Sequence, residues 1–363
     1  MIRFRVALLV LLASVASGCA PTASSPTPTV SFSPTATASR TSAAGASPSA
    51  IPRIQISDEP LSKVAGAFVL FQLPGETRLR AISYGAEVSG SLAGQIASDV
   101  AWSQSPYGLP YRVAGAILDR AGRSLGTLPW SAPTTPTWSS DGRLLCAALP
   151  EGPATGAQMR LETAIPGQPA KVIASGFMTY GDNATYPVLA CDESTDRVIV
   201  ASFGQGVAPS RLVVFRLSTG AVIRSIDYAG RLSWVAASAD GTMLVETHRR
   251  DTASGSWSAT IRYADDGTKV GALDGFVVQG FSGDNTLLVG ASESSAAVVD
   301  WKTGRAIWNA SGPYGGFLAE PAGRRLVVGI GFVGGSDQRD VYLVGSDGSA
   351  LLFPARVRVA LRY

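Results

Sequence analysis

Between Arg231 and Ala310 the chain repeats one arrangement: an apolar run, a tight polar turn, a second apolar run, a longer connection, and then another such pair. The segments read LSWVAASADGTMLVETHRR, SATIRYADDGTKVGAL, FVVQGFSGDNTLLVGAS and AAVVDWKTGRAIWNA. Apolar runs of this length bounded by Asp-Gly, Gly-Asp-Asn or Thr-Gly form antiparallel strands joined by hairpins. One hairpin pair cannot cover both of its own faces. Units that recur at near-constant spacing stack and bury a shared core. An all-β ring of blades, a β-propeller, satisfies both conditions.

Two independent sets of residues count the blades. Glycines sit in strand-turn-strand contexts at Gly85, Gly122, Gly167, Gly220, Gly267, Gly304 and Gly348, at intervals of 37, 45, 53, 47, 37 and 44 residues. Such turns need a residue at positive φ, so these glycines mark the outer hairpins of seven blades. The inner hairpins superimpose TWSSDGRLLCA, AASADGTMLVE and GFSGDNTLLVG at Asp141, Asp240 and Asp284. CDESTDRVIVA and AEPAGRRLVVG fit the same frame, with Thr195 and Ala322 in the aspartate's place. The aspartates shape turns by accepting hydrogen bonds from nearby backbone amides. Seven four-stranded blades is the expected architecture. Six and eight remain alternatives, because blades one and two carry no inner-hairpin signature.

The first fifty residues read differently. Arg3 and Arg5 precede the apolar run Val6–Ala13, and Ala16, Ser17 and Gly18 lead into Cys19. That is a signal peptide over residues 1–18, with an apolar run too short to span a bilayer. VASGC resembles the bacterial lipobox, with Ala16 where leucine is usual. The resemblance implies that Cys19 is acylated and becomes the first mature residue, which anchors the chain to a membrane on its extracytoplasmic side. Residues 20–50 are almost entirely Ala, Ser, Thr, Pro and Gly, with Arg40 the single charge. They lack the apolar content of a core and read as a disordered tether reaching ~30 Å as a coil. The folded domain is therefore expected over residues 51–363.

Composition excludes one function class. Of 30 Lys and Arg against 27 Asp and Glu, Arg3, Arg5 and Arg40 precede the domain, leaving 27 of each sign within it. No basic cluster appears, so the domain has no footprint for nucleic acid. Beyond Cys19 only Cys146 and Cys191 remain. They fall on apolar strands of neighbouring blades and form either a disulfide or two buried thiols.

Three motif matches dissolve on inspection. GRSLG, with Ser124 as nominal nucleophile, is followed by a strand and a proline-rich turn rather than the helix a nucleophile elbow requires. GIGFVGG at 329–335 leaves only SDQRD before the next strand, with no room for a dinucleotide-binding helix. His248 is the single histidine, so no standard zinc set can form. No catalytic residue, metal site or cofactor is assigned.

TWSSDGRLL resembles the WD-repeat-like propeller repeats of bacterial secreted proteins, and VVDWKTGRAIW resembles those of quinoprotein-type propellers. The resemblance covers roughly residues 60–363 and concerns architecture. Both groups include tethered assembly platforms as well as enzymes. The expected function is a membrane-tethered binding or scaffold module for protein or envelope partners. The alternative is a quinoprotein-like oxidoreductase or hydrolase of the envelope.

Loop lengths point to a binding face. The long connections fall between the second and third strands of a blade and between blades, and in a four-stranded blade these share one face. That face carries Tyr180, Tyr186, Trp257 and Tyr314, with Arg250 beside them. Aromatics and Arg on loops above a rigid scaffold suit partner recognition. The C-terminal RVRVALRY alternates Arg with apolar residues, the pattern of a half-buried strand. Val357–Leu361 is expected to cross to blade one and close the ring. RIQIS at Arg53–Ser57 competes for that place or adds an outer strand to blade seven.

Overall fold

The computed structural model describes residues 51–64, 66–83, 89–91, 102–104, 111–131, 136–152, 156–181, 184–204, 209–228, 232–249, 257–291, 295–311, 317–319, 325–330, 339–353 and 355–359. The signal peptide, Cys19 and the tether lie outside them.

The domain is a seven-bladed propeller of seven four-stranded antiparallel sheets. Blade one holds β1 (Phe68–Gln72), β2 (Arg80–Ser83) and β3 (Ser89–Ser91). Blade two holds β4 (Trp102–Gln104), β5 (Tyr111–Val113), β6 (Ala116–Leu118) and β7 (Ser124–Thr127). Blade three follows with β8 (Thr137–Trp138), β9 (Leu145–Pro150), β10 (Gln158–Ala164) and β11 (Lys171–Thr179). Blade four is β12 (Val188–Asp192), β13 (Arg197–Phe203), β14 (Pro209–Arg216) and β15 (Val222–Asp227). Blade five is β16 (Trp234–Ala237), β17 (Met243–Arg249), β18 (Trp257–Tyr263) and β19 (Lys269–Asp274). Blade six is β20 (Val277–Phe281), β21 (Leu287–Ala291), β22 (Ser295–Asp300) and β23 (Arg305–Ser311). Blade seven is β24 (Phe317–Ala319), β25 (Arg325–Ile330), β26 (Asp340–Gly345) and β27 (Ala350–Leu352).

Burial follows the position of a strand in its blade. Middle strands lie between two neighbouring blades and are apolar on both faces, as in Val198–Ala201 of β13 and Leu212–Phe215 of β14. Rim strands expose one face, so β15 alternates between exposed and half-buried residues. The core is correspondingly divided: each of the seven seams between blades holds its own apolar cluster. The seam between blades two and three holds the smallest of these clusters among the described residues. Its cluster is built on Ile117, Trp138 and Leu145. Glu162 is buried at this seam, accepting a 2.6 Å hydrogen bond from Trp130 Nε1 and pairing with Arg160 at 2.5 Å.

The outer-hairpin glycines stand as the spacing predicts. Gly122, Gly167, Gly220, Gly267, Gly304 and Gly348 all lie between the third and fourth strands of a blade, with φ between 69° and 83°. Gly85 lies outside the described residues. Loop lengths follow the expected asymmetry only in part. Ala114 and Gly115 alone join β5 to β6, and Gly275 and Phe276 alone join blade five to blade six.

The ring is closed twice. A last strand, β28 (Arg358–Val359), pairs with β1 as the innermost strand of blade one, setting Val359 opposite Phe71 and Arg358 opposite Gln72. Val357 exchanges both backbone hydrogen bonds with Arg339 at 2.8 and 2.9 Å, so the segment is held from blade seven as well. Leu361 lies outside the described residues. The competing segment takes the outer position. Ile54 N–H donates to the Leu352 carbonyl, and Leu352 N–H donates to that of Pro52, both at 2.8 Å, beside the rim strand of blade seven. The chain then crosses to blade one, where Ser91 N–H donates to the Glu59 carbonyl at 2.6 Å. Arg80 fixes this strap, bonding both Glu76 oxygens at 2.7 Å and Asp58 at 3.1 Å. The hydrogen bond from Arg80 outweighs partial burial and holds the Glu76 carboxyl below its usual range.

Candidate binding surfaces

The inner-hairpin aspartates are occupied by structure. Asp141, Asp240 and Asp284 each accept a hydrogen bond from the backbone N–H two residues on, at 3.0, 3.0 and 3.2 Å. Each also accepts one from the hydroxyl of the serine two residues before. That serine in turn accepts from the backbone N–H five residues on, at 2.9 Å in all three blades. Blade four follows the frame with different residues: Asp196, at φ 58°, stands where blades three and five carry Gly142 and Gly241. The Asp192 carboxylate beneath it accepts from Ser194 and Thr195, and from Ser140 of blade three. Burial pushes its pKa up, but these hydrogen bonds together hold it below the ordinary carboxylate range. Asn285 of blade six donates to Asp240 of blade five at 2.8 Å, and Thr195 of blade four donates to the Asp240 carbonyl. The turns thus form a polar belt across blades three to six. Among the described residues, no three His, Cys, Asp or Glu converge as metal ligands.

Ser124, Gly329 and His248 lie on strands of the ring. Ser124 opens the rim strand β7 opposite Leu118, and its hydroxyl accepts from Gly126 N–H, with no helix after it among the described residues. Gly329 lies within β25, and residues 331–335 of that motif lie outside the described residues. His248 sits near the end of β17, opposite Ser258. Cys146 of β9 and Cys191 of β12 are joined as a disulfide across the seam between blades three and four, with their Cα atoms 6.2 Å apart. The link encloses a loop of 45 residues, worth about 4 kcal/mol in the chain-entropy model.

On the face that carries the connections between blades, two of the expected aromatics meet. Tyr180 follows β11 and Tyr186 precedes β12, and their rings lie 5.8 Å apart at 37°. The Tyr186 hydroxyl accepts from Gly181 N–H at 2.6 Å and donates to the Thr179 carbonyl at 3.1 Å. Tyr180 is tied to Ala157 by its own backbone N–H at 2.7 Å. Both rings are half-buried, so they present fixed apolar surface rather than mobile side chains. Trp257 belongs to blade five and does not join this pair; the Arg249 guanidinium lies over its ring at 5.8 Å. Sequence reasoning named Arg250 and missed Arg249, its neighbour. Arg250 and Tyr314 lie outside the described residues.

The opposite face carries a feature that sequence reasoning missed. A groove of about 330 Å³ opens between the hairpin ends of blades three and four, with a floor of Leu144, Ala164, Ile173 and Leu217. Lys171 of blade three and Glu193 of blade four stand in its walls. The large apolar side chains most exposed among the described residues are Leu125, Ile165, Val172, Val222 and Tyr263, at 44% to 53%. All five lie at or beside the outer hairpins of blades two to five, and Ile165 also lines the groove. Their signal in the sequence was proximity: each stands within five residues of an outer-hairpin glycine.

No family model and no curated protein sequence matches the chain. Solved structures are similar to it at low identity. An oligogalacturonate lyase in complex with manganese is 13% identical, with a TM-score of 0.48 over 70% of this chain and 76% of that one. Hsv2p of Kluyveromyces lactis is 12% identical, at 0.44 over 83% and 96%. TolB of Acinetobacter baumannii is 13% identical, at 0.42 over 81% and 65%. These are propellers of diverse function, and the likeness is one of fold.

Proposed function

We propose that the chain is a lipid-anchored extracytoplasmic propeller that binds or scaffolds protein or envelope partners. The observation that carries the reading is the Tyr180–Tyr186 pair, locked by backbone hydrogen bonds and half-exposed on the connection-bearing face. Large rings held rigid on loops above a closed scaffold lose little entropy on binding, which is why such residues dominate interface energetics. Trp257 under Arg249 adds a second fixed aromatic two blades from Tyr180. The anchor rests on VASGC and on the Ser/Thr/Pro tether, which sets the domain off from the membrane. Cell fractionation tests it. Wild-type chain is expected in the membrane fraction and Cys19→Ser in the soluble extracytoplasmic fraction; equal membrane retention of both would refute acylation at Cys19.

A further inference from the structure

The apolar rim on the hairpin face of blades two to five has no role in the reading above. Its five most exposed side chains, Leu125, Ile165, Val172, Val222 and Tyr263, belong to four consecutive blades and lie at the same end of their strands. Exposed apolar side chains brought to one rim are available to a contact surface. The groove at its centre supplies the chemistry of the occupant. One wall carries Lys171 from blade three, the other carries Glu193 from blade four, and the floor between them is apolar. A surface with both signs flanking an apolar strip is complementary to itself. A two-fold axis through the groove exchanges the walls, so Lys171 of each copy meets Glu193 of the other while the floors and rims pack together. An anionic lipid surface fits less well, because Glu193 and Asp266 stand at the same hairpin ends and Arg197 there is neutralised by Asp265.

We infer that the protein pairs with a second copy of itself through this hairpin face, leaving the aromatic face of each copy outward. The inference rests on neither the anchor nor the identity of any partner. Sedimentation velocity tests it on the full chain carrying Cys19→Ser, so that acyl chains cannot cluster the molecules. The parent chain is expected to form a dimer at rising concentration. Lys171→Glu and Glu193→Lys, each alone, place like charges opposite one another and should raise the dissociation constant about tenfold or more. An equimolar mixture of the two single variants restores both opposite-charge contacts and should sediment as a heterodimer. Val222→Asp, on the apolar rim, should weaken the dimer without involving either wall. Thermal unfolding checks that each variant folds, and all three positions are exposed. A parent chain that stays monomeric, a dimer indifferent to both charge reversals, or single variants that fail to rescue one another would overturn the inference.

Discussion

At the scale of single residues, the outer-hairpin glycines carry two demands, of which one is legible in the sequence. Positive φ is the legible one, and it holds at all six described positions. The other is contact between blades. A Cβ on Gly167 would overlap the Leu125 carbonyl of blade two, one on Gly220 the Ile173 carbonyl of blade three, and one on Gly348 the Ile307 carbonyl of blade six. Each hairpin thus leans on the rim strand of the preceding blade. Gly304 is the internal control, with φ 70° and nothing within 4 Å of the place a Cβ would take. Gly304→Ala should cost about 1 kcal/mol for the left-handed backbone alone. Gly220→Ala should cost about 3 kcal/mol, because overlap with fixed backbone is added to the same strain. Urea unfolding of the two variants checks the difference, and equal losses would show that hairpin-to-rim contact carries no weight. This second demand was hidden because the turn pattern is local, whereas the neighbouring rim strand lies 41 to 47 residues away in sequence.

At the scale of elements, the termini share the closing seam. The alternation in RVRVALRY and the missing inner strand of blade one were enough to predict that the C-terminal segment pairs with β1. The segment at Arg53–Ser57 was harder to read. Its apolar residues alternate as a strand's do, yet it forms one bridge to Leu352 and continues as a strap. The apolar residues are spaced to reach successive seams: Ile51 packs between blades six and seven, Ile54 between seven and one, and Leu61 and Val64 between one and two. Among the described residues β28 contributes two paired positions, and the strap adds its own bonds to blades seven and one. Ile54→Ala should therefore cost about 3 kcal/mol, within the range for a buried isoleucine. Removing residues 356–363 should cost several kcal/mol, since it deletes the buried Val357 and the inner strand together. Both losses are read from urea midpoints. A strap variant as stable as the parent would leave closure to β28 alone.

At the scale of the whole molecule, architecture was readable because a propeller repeats one local rule around a ring. Function is carried by what departs from that rule. Tyr180, Tyr186 and Trp257 were expected together on long connections, whereas Trp257 is the first residue of β18. The structure adds that Tyr180 and Tyr186 form one fixed unit and that Trp257 stands apart on blade five. The hairpin face escaped notice because its apolar residues sit singly in five short turn-flanking stretches, and only ring closure collects them on one rim. The central claim, that the connection-bearing face recognises a partner, is tested most directly by photo-cross-linking in intact cells. A photoreactive residue is placed at Trp257 in the full chain, and at Arg305 on the rim of blade six as the reference position. The account predicts a discrete adduct with another molecule from Trp257, diminished by Tyr180→Ala, and no such adduct from Arg305. The same products from both positions, or none from Trp257, would contradict it.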